Sequence, residues 1–487
     1  MSDWQNDTQP TFKRVSLAVE EEGIKGPPKA LLWGAILIFV LVVVGIVGGI
    51  VAFREVLRPS QQQRVLEQLP FMRAFLPPTP SGGLLPTVAP DVVTGDAASL
   101  LTMPLAAATP TPESTSTPEP EPPSPTPQTA PEITEAAPQP AVMPSATPEP
   151  ALPTATTPPQ PGAQGTTNVV ASSLPAAERI VGFRHEQQDW NNCGPATLTM
   201  ALSYFGWTRD QQYARGFLRP NREDKNVSPE ELADFVNTRT QVRAIVRMGG
   251  SLDLLKALIA NRFPVIVERG IMFEAYDWVG HYQLLVAYDD TQRSFYAFDS
   301  FLGTGAAQLG VTVPYQELDE GWRAFNRTFL VVYNPADEAY LQAVLGDLYD
   351  PRRAAQIAFE KAQAEAQLNR QDGFAWFNMG TSLVALGEYE QAARAFDLAR
   401  QLELPWRMLW YQFGPFEAYY NTRRYDDVLS LAQTNLNSAS ELEESYYWRG
   451  RVYEAQGNRA QAIAEYNRAL SYNSNFTAAR AAAQALQ

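Results

Sequence analysis

The chain has little of the residue types on which disulfide, metal and nucleic-acid chemistry depend. Its 487 residues include one cysteine and two histidines. One cysteine excludes an internal disulfide, so the cysteine content does not report the redox compartment. A single Cys/His pair is a poor ligand set for zinc, and the sequence implies neither a metal nor an organic cofactor. The net charge of −15 argues against a nucleic-acid partner, because phosphate binding needs basic patches.

The single cysteine, Cys193, lies at the start of a predicted helix. It follows the polar, turn-forming pair Asn191 and Asn192, and Pro195 suits the first helical turn because its missing N–H costs nothing there. The unpaired N–H groups of a first turn favour a thiolate over a thiol, which makes the cysteine a candidate nucleophile. The alternative is that a lone cysteine is a small buried hydrophobe.

A thiolate nucleophile needs a base, and His281 is the stronger of the two candidates. It begins an apolar strand over 284–288, which would hold the ring in one direction. A short acidic turn and a second strand over 294–298 follow, a pattern that predicts a hairpin. The hairpin would bring Asp299 beside His281, where it can accept the Nδ1 proton and orient the ring. The alternative for Asp299 is an exposed turn carboxylate.

Two further polar residues precede the cysteine. Gln187 lies six residues before Cys193 and could donate a hydrogen bond to the oxyanion of a tetrahedral intermediate, alongside the backbone N–H of Cys193. The second histidine, His185, lies in a polar stretch. We expect it to be structural or to form a lip of the cleft.

The segment from about 180 to 333 resembles the papain-clan cysteine peptidases of the bacteriocin-processing (double-glycine-leader peptidase) type, in the stand-alone branch of that group. It carries the family's Q-x5-C-G-P-A block at Gln187 and Cys193, its G-H-Y at His281 and its D-S at Asp299. The resemblance implies a nucleophile at Cys193, a general base at His281, an orienting Asp299 and an oxyanion donor at Gln187. Unlike the best understood leader peptidases, the chain shows neither six membrane spans nor a G-x4-G-K-[ST] loop, so cleavage of a leader peptide is not implied.

The first third of the chain is predicted to anchor and space the rest. Residues 1–29 form a predicted cytoplasmic tail, and residues 30–53 contain no charge and would span roughly 36 Å as a helix, enough for a transmembrane segment. A juxtamembrane segment, 54–76, leads to a Pro/Thr-rich linker, 77–172, whose composition predicts disorder.

The orientation in the membrane depends on this linker, because the basic residues on the two sides of the helix nearly balance. Pro/Thr-rich stalks typically hold a domain away from a membrane. We therefore expect a single-pass membrane protein with extracytoplasmic catalytic and repeat domains, the alternative being a plain cytoplasmic linker.

Two folded segments are predicted after the linker. In residues 173–335, helices precede a sheet that carries His281 and Asp299, a pattern that predicts an α+β domain. The resemblance implies that this domain has a papain-like peptidase fold. Ser228 and Ser251 are predicted to cap two of its helices.

Residues 336–487 predict an all-α solenoid and resemble the tetratricopeptide repeat. Gly380 and Phe396 in one copy, and Gly450 and Tyr466 in the last, occupy its small and large positions. A middle copy departs from the pattern, and residues 337–369 are either a degenerate first repeat or a packing helix pair. Such an array offers a surface for peptides or partner proteins; the alternative is that it only packs against the catalytic domain.

Together these patterns predict a membrane-anchored cysteine peptidase that acts on a peptide or protein substrate, with repeats that bind substrate or partner. Two alternatives stay open. In one, the peptidase-like fold is catalytically idle and the repeats carry a binding or assembly function. In the other, the same cysteine forms a thioester but serves an amidase or transferase, since all of these reactions share that intermediate.

Overall fold

The fold was obtained as a computed structural model, which describes residues 29–53, 97–104 and 174–487, with gaps at 222, 274–276 and 403, and isolated positions 65, 69, 71 and 72. The chain forms two compact units, Met1–Pro77 and Pro78–Gln487. The predicted tail, most of the juxtamembrane segment and most of the predicted linker lie outside the described residues.

The first unit contains helix α1 (Lys29–Val51). Its described side chains are apolar and many are exposed, among them Trp33, Phe39 and Leu41. Where side chains are described, no helix is both apolar and long enough to cross a membrane.

A short helix, α2 (Ala97–Thr102), lies within the predicted linker. Leu100 and Leu101 are buried in it, with 1% and 5% of their surfaces exposed. The prediction of disorder across the whole linker is therefore wrong for these residues, because two adjacent leucines give this segment an apolar surface to bury.

The peptidase-like domain opens with three helices that precede most of its sheet: α3 (Cys193–Ser203), α4 (Gln211–Leu218) and α5 (Pro229–Arg239). Two more helices are α6 (Leu252–Ala260) and α7 (Tyr315–Trp322). The predicted caps are present: the hydroxyl of Ser228 accepts the N–H of Glu231 at 3.2 Å, and that of Ser251 accepts the N–H of Leu254 at 3.2 Å. These caps satisfy N–H groups that a helix start leaves unpaired.

The described strands form one antiparallel sheet. They run in the order β2-β7-β3-β4-β5-β6, and β1 pairs with the far end of β4. Residues alternate between the two faces, as strand geometry requires. Val265 and Val267 face a core that includes α6 and α7, whereas Ile266 faces a core that includes α3, α4 and α5. The strands are β1 (Ala177–Arg179), β2 (Arg243–Arg247), β3 (Val265–Phe273), β4 (Asp277–Asp289), β5 (Ser294–Asp299), β6 (Val311–Pro314) and β7 (Phe329–Tyr333). Helices on both faces of this sheet agree with the predicted α+β class.

The remaining residues form a helical array, as predicted. Its helices are α8 (Glu338–Leu345), α9 (Pro351–Leu368), α10 (Gly373–Leu386), α11 (Tyr389–Arg400), α12 (Gly414–Asn421), α13 (Tyr425–Ser438), α14 (Glu443–Ala455), α15 (Arg459–Tyr472) and α16 (Thr477–Ala485). A Cβ at Gly380 would lie 2.7 Å from the ring of Phe396, and one at Gly450 would lie 2.5 Å from the ring of Tyr466. In each pair the glycine therefore packs directly on the aromatic ring, which is why the two helices that carry the pair can approach closely.

The helical array packs against the peptidase-like domain along polar contacts. Asn326 donates to the hydroxyl of Ser382 at 2.9 Å, and Arg327 pairs with Glu365 at 2.8 Å. At another point, Asn226 donates to a carboxylate oxygen of Glu444 at 2.9 Å. The two predicted domains thus belong to one compact unit.

Carboxyl groups are buried at this second contact. Asp224 and Glu443 have 1% and 2% of their surfaces exposed. Burial raises the pKa of Asp224 to about 7. Burial and the neighbouring charges of Asp224 and Glu444 raise the pKa of Glu443 well above its usual value. Carboxyl groups with raised pKa values therefore lie at the contact between the domain and the repeats.

Candidate active site

The candidate nucleophile begins a helix, as the sequence predicts. Cys193 is the first residue of α3, and Pro195 follows in its first turn. Asn191 has a φ of 51°, a left-handed conformation that asparagine adopts more readily than most residues and that turns the chain into the helix. The half-buried thiol is thereby held at the positive end of the helix dipole.

The strand pair β4–β5 brings the second and third candidates together. Gln283 of β4 lies directly opposite Asp299, the last residue of β5, so His281 is two residues further along the same face. The ring Nε2 of His281 lies 3.0 Å from Oδ1 of Asp299. The aspartate is fully buried rather than an exposed turn carboxylate. Nε2, and not the Nδ1 expected from the sequence, faces Asp299. The same imidazole also forms a hydrogen bond with the thiol of Cys193.

Hydrogen bonds fix the carboxylate of Asp299 on both oxygens. Oδ1 accepts the N–H groups of Phe301 at 2.7 Å and Leu302 at 2.8 Å, and Oδ2 accepts the side-chain amide of Gln283 at 2.7 Å. These donors favour the charged form of the buried carboxylate. They also fix the direction from which the carboxylate meets His281.

The charges of the three groups support one another. Burial opposes the charged form of His281, but the negative charge and hydrogen bond of Asp299 outweigh it and raise the pKa of the imidazole to about 10. Burial likewise opposes ionisation of Asp299, yet the pKa of that carboxyl is lowered to about 2 by His281 and its other donors.

The thiol responds to the same balance. Burial would raise its pKa, but the hydrogen bond from His281 and the positive charge of that ring hold the pKa of Cys193 below its ordinary value. The imidazolium of His281 therefore favours the thiolate form of Cys193.

Gln187 and His185 contact the end of β5 and the loop that follows it. The side-chain nitrogen of Gln187 donates to the carbonyl of Phe301 at 2.8 Å. His185 places Nε2 at 2.9 Å from the backbone carbonyl of Asp299, away from the carboxylate. The oxyanion role of Gln187 stays a prediction, whereas His185 has a structural contact of the kind expected from its position.

Sequence patterns missed two groups near the thiol. Arg219, just after α4, has 1% of its surface exposed and donates to the carbonyls of Trp190 at 3.0 Å and Asn191 at 2.9 Å. Its charge helps lower the pKa of the Cys193 thiol. Tyr411 belongs to the helical array, and burial and the negative charge of Cys193 raise the pKa of its hydroxyl. No local motif marks either residue, because tertiary packing alone brings them to the site.

Among the described residues, no group of three or more histidine, cysteine, aspartate and glutamate side chains could hold a metal ion.

Comparison with known proteins identifies both folded parts. Residues 181–328 match the model of the Peptidase_C39 like family, and residues 443–476 match the model of the tetratricopeptide repeat. No curated protein matches the chain significantly. The first part is therefore a peptidase C39-like domain, and the second contains a tetratricopeptide repeat at 443–476, as the sequence patterns indicate.

Two solved structures are similar to parts of the chain. One is the crystal structure of a C39-like peptidase from Bacillus anthracis, with 17% identity and a TM-score of 0.27 over 32% of this chain and 98% of the other. The second is a double mutant, MamA RS-1 ArsTM, with 17% identity and a TM-score of 0.24 over 31% of this chain and 94% of the other.

Proposed function

We propose that the chain is a cysteine peptidase in which Cys193, His281 and Asp299 form the catalytic set. The observation that carries this proposal is the hydrogen-bonded series of the three groups, with the thiol at the start of a helix. Membership of residues 181–328 in a peptidase-like family agrees with it.

In the proposed reaction, the Cys193 thiolate attacks the carbonyl carbon of a peptide bond. The negative oxygen that forms is stabilised by the N–H of Cys193 and the amide of Gln187. The imidazolium of His281 gives its Nδ1 proton to the leaving amine, and the C–N bond breaks to leave a thioester. His281 then takes a proton from water, which attacks the thioester and releases the acid and the thiolate. Asp299 holds the ring and stabilises its positive charge throughout.

The test compares three full-length proteins on a mixed peptide library, with products identified by mass spectrometry. The wild-type chain is expected to cleave, whereas Cys193→Ala and His281→Ala should each lose at least about a thousandfold of the rate, because removing a member of such a set leaves only background catalysis. Glu390→Gln, an exposed change on α11, is the matched control and should cleave normally. Cleavage that persists in Cys193→Ala would refute the proposal.

The same experiment separates hydrolysis from transfer. In water enriched in ¹⁸O, hydrolysis places the label in the new carboxyl group, whereas transfer to an added amine gives an unlabelled amide. A thioester that turns over only when an amine is present would replace the peptidase by a transferase. A chain that forms no thioester would favour the binding alternative.

The membrane anchor and the extracytoplasmic location also belong to this proposal. The uncharged run 30–53 and the exposed apolar side chains of α1 support the anchor. The Pro/Thr-rich composition of residues 77–172 supports a stalk that holds the catalytic unit outside the cell.

The location can be tested because the natural chain has one thiol. Replacing it by Cys193→Ala and adding a thiol at an exposed position of the repeats, Ser440→Cys, gives a chain with a single surface reporter. A membrane-impermeant maleimide should label this reporter on intact cells to the same extent as on permeabilised cells. Labelling that requires permeabilisation would place the catalytic unit inside.

The repeats are proposed to bind a polypeptide, either the substrate or a partner protein. The match of residues 443–476 to the tetratricopeptide repeat supports this role, since arrays of such helix pairs present extended surfaces for polypeptides. Their position beside the catalytic cysteine, through Tyr411, favours presentation of substrate.

A further inference from the structure

A short piece of the Pro/Thr-rich linker is packed onto the tetratricopeptide-repeat part of the chain. Helix α2 contacts α9 and α11, and its Leu100 and Leu101 join the same hydrophobic core as Ala362 and Ala366 of α9. Less than a tenth of either leucine is exposed. These side chains thus fill a groove on the helical array rather than lie on its surface.

Two glutamines of α9 bind the backbone of this segment. Gln363 donates to the carbonyls of Leu100 at 2.8 Å and Met103 at 3.2 Å, and Gln367, one helical turn later, donates to the carbonyl of Leu101 at 2.7 Å. The last carbonyls of any helix lack partners within it, and those of Leu100 and Leu101 find partners on α9. The groove therefore provides both an apolar surface and a cap for the end of the helix.

A helix of six residues is not stable by itself in water, because nucleation is costly and only a few intrahelical bonds repay it. The ordered state of α2 consequently depends on the groove. The leucines set its register, since a shift by one residue would remove one of them from the core, and the glutamines hold main-chain atoms whatever the sequence.

We propose that residues 97–103 are a docking motif that fastens the linker to the repeats of the same chain and divides it into two separate tethers. The tether between α1 and the dock then has roughly 45 residues, which can span at most about 150 Å. Without the dock, roughly 120 residues would separate α1 from the peptidase-like domain, with a limit of about 400 Å. Docking thus shortens the undocked length of chain between α1 and the repeats, and it does not depend on peptidase activity.

Hydrogen exchange of the full-length protein tests the dock. Amides of residues 97–103 should exchange at least about tenfold more slowly in the wild-type chain than in the variant Leu100→Asp/Leu101→Asp, which places two charges in the apolar groove. Gln363→Ala/Gln367→Ala should also speed exchange while it keeps the leucines. Gln433→Ala, which removes an exposed glutamine on α13, is the matched control and should leave exchange unchanged.

A labelled synthetic peptide of residues 94–106 gives a second readout. It should bind the Leu100→Asp/Leu101→Asp chain, whose groove is open, and should bind the wild-type chain at least tenfold more weakly, because the chain's own segment competes. Equal exchange rates in wild type and variant, or equal binding of the peptide to both, would overturn the proposal. Protection that rises with protein concentration together with dimer formation would also overturn it, because the segment would then dock on a second copy.

Discussion

Removal of the His281 imidazole should abolish the reactivity of the thiol at low pH. In the wild-type protein the positive charge and hydrogen bond of His281 lower the pKa of Cys193 against the opposing effect of burial. In His281→Ala the burial of the thiol still raises its pKa, but the largest effect that lowers the pKa is gone. The thiol should then titrate at or above the ordinary value of about 8.5.

The size of the effect follows from the fraction of thiolate. A thiol with a pKa of about 8.5 is roughly 0.3% ionised at pH 6. If the wild-type thiol exists mainly as thiolate at that pH, its alkylation should be on the order of 100-fold faster than that of the His281→Ala thiol. Because the chain has one cysteine, the rate of iodoacetamide incorporation into intact protein reports Cys193 alone.

The wild-type profile should also show a second change at high pH. The pKa of His281 is about 10, so the ion pair persists until the imidazolium loses its proton there. The thiolate above that pH lacks its positive neighbour and reacts with a different rate constant. His185→Gln is the matched control, because His185 contacts the backbone of Asp299 rather than its carboxylate. Superimposable profiles of wild type and His281→Ala would refute the ion pair.

Three further predictions concern the partner of the imidazole, the repeats and the acidic contact. Asp299→Asn removes the charge that holds the pKa of His281 at about 10, so the upper inflection of the alkylation profile should move down toward 6.5; an unchanged inflection would contradict the role of the carboxylate. Phe396→Ala removes a fully buried ring and should lower the free energy of unfolding, measured by urea denaturation, by about 3–5 kcal/mol. A loss under about 1 kcal/mol would contradict the packing of this ring on Gly380. The pKa of Glu443 is higher in the folded than in the unfolded chain, so the free energy of unfolding should fall as pH rises above about 4. Glu443→Gln should make that fall shallower by up to about 1.4 kcal/mol per pH unit. The exposed control Glu390→Gln should leave the slope unchanged.

The local geometry of the candidate site could be predicted because short-range rules determine it. A polar turn followed by Pro195 and an apolar period of 3.6 residues is enough to start a helix at Cys193. A strand, a short acidic turn and a second strand are enough to bring His281 and Asp299 to the same edge. The identity of the ring nitrogen that faces the carboxylate was beyond these rules, because it depends on the side-chain torsions of His281.

Contacts made by tertiary packing could not be predicted. Arg219 reaches the turn before Cys193 from the end of a helix 26 positions later, and nothing in its neighbours distinguishes it from an ordinary helix-terminal arginine. Helix α2 was missed for a related reason. Its six residues are too few to show a helical period, and a window wide enough to detect disorder averages them with the surrounding prolines.

The position of Tyr411 changes what counts as the catalytic unit. This side chain comes from the helical array, and it is buried close enough to Cys193 and the backbone of Gly280 for both to alter its pKa. Gln412, the next residue, donates to the carbonyl of Ala324 in the peptidase-like domain at 2.9 Å. A domain cut at the predicted boundary near 335 would therefore lose part of the surroundings of Cys193. The helical array thus contributes to the electrostatic environment of Cys193, so a displacement of the array would also change the environment of that thiol.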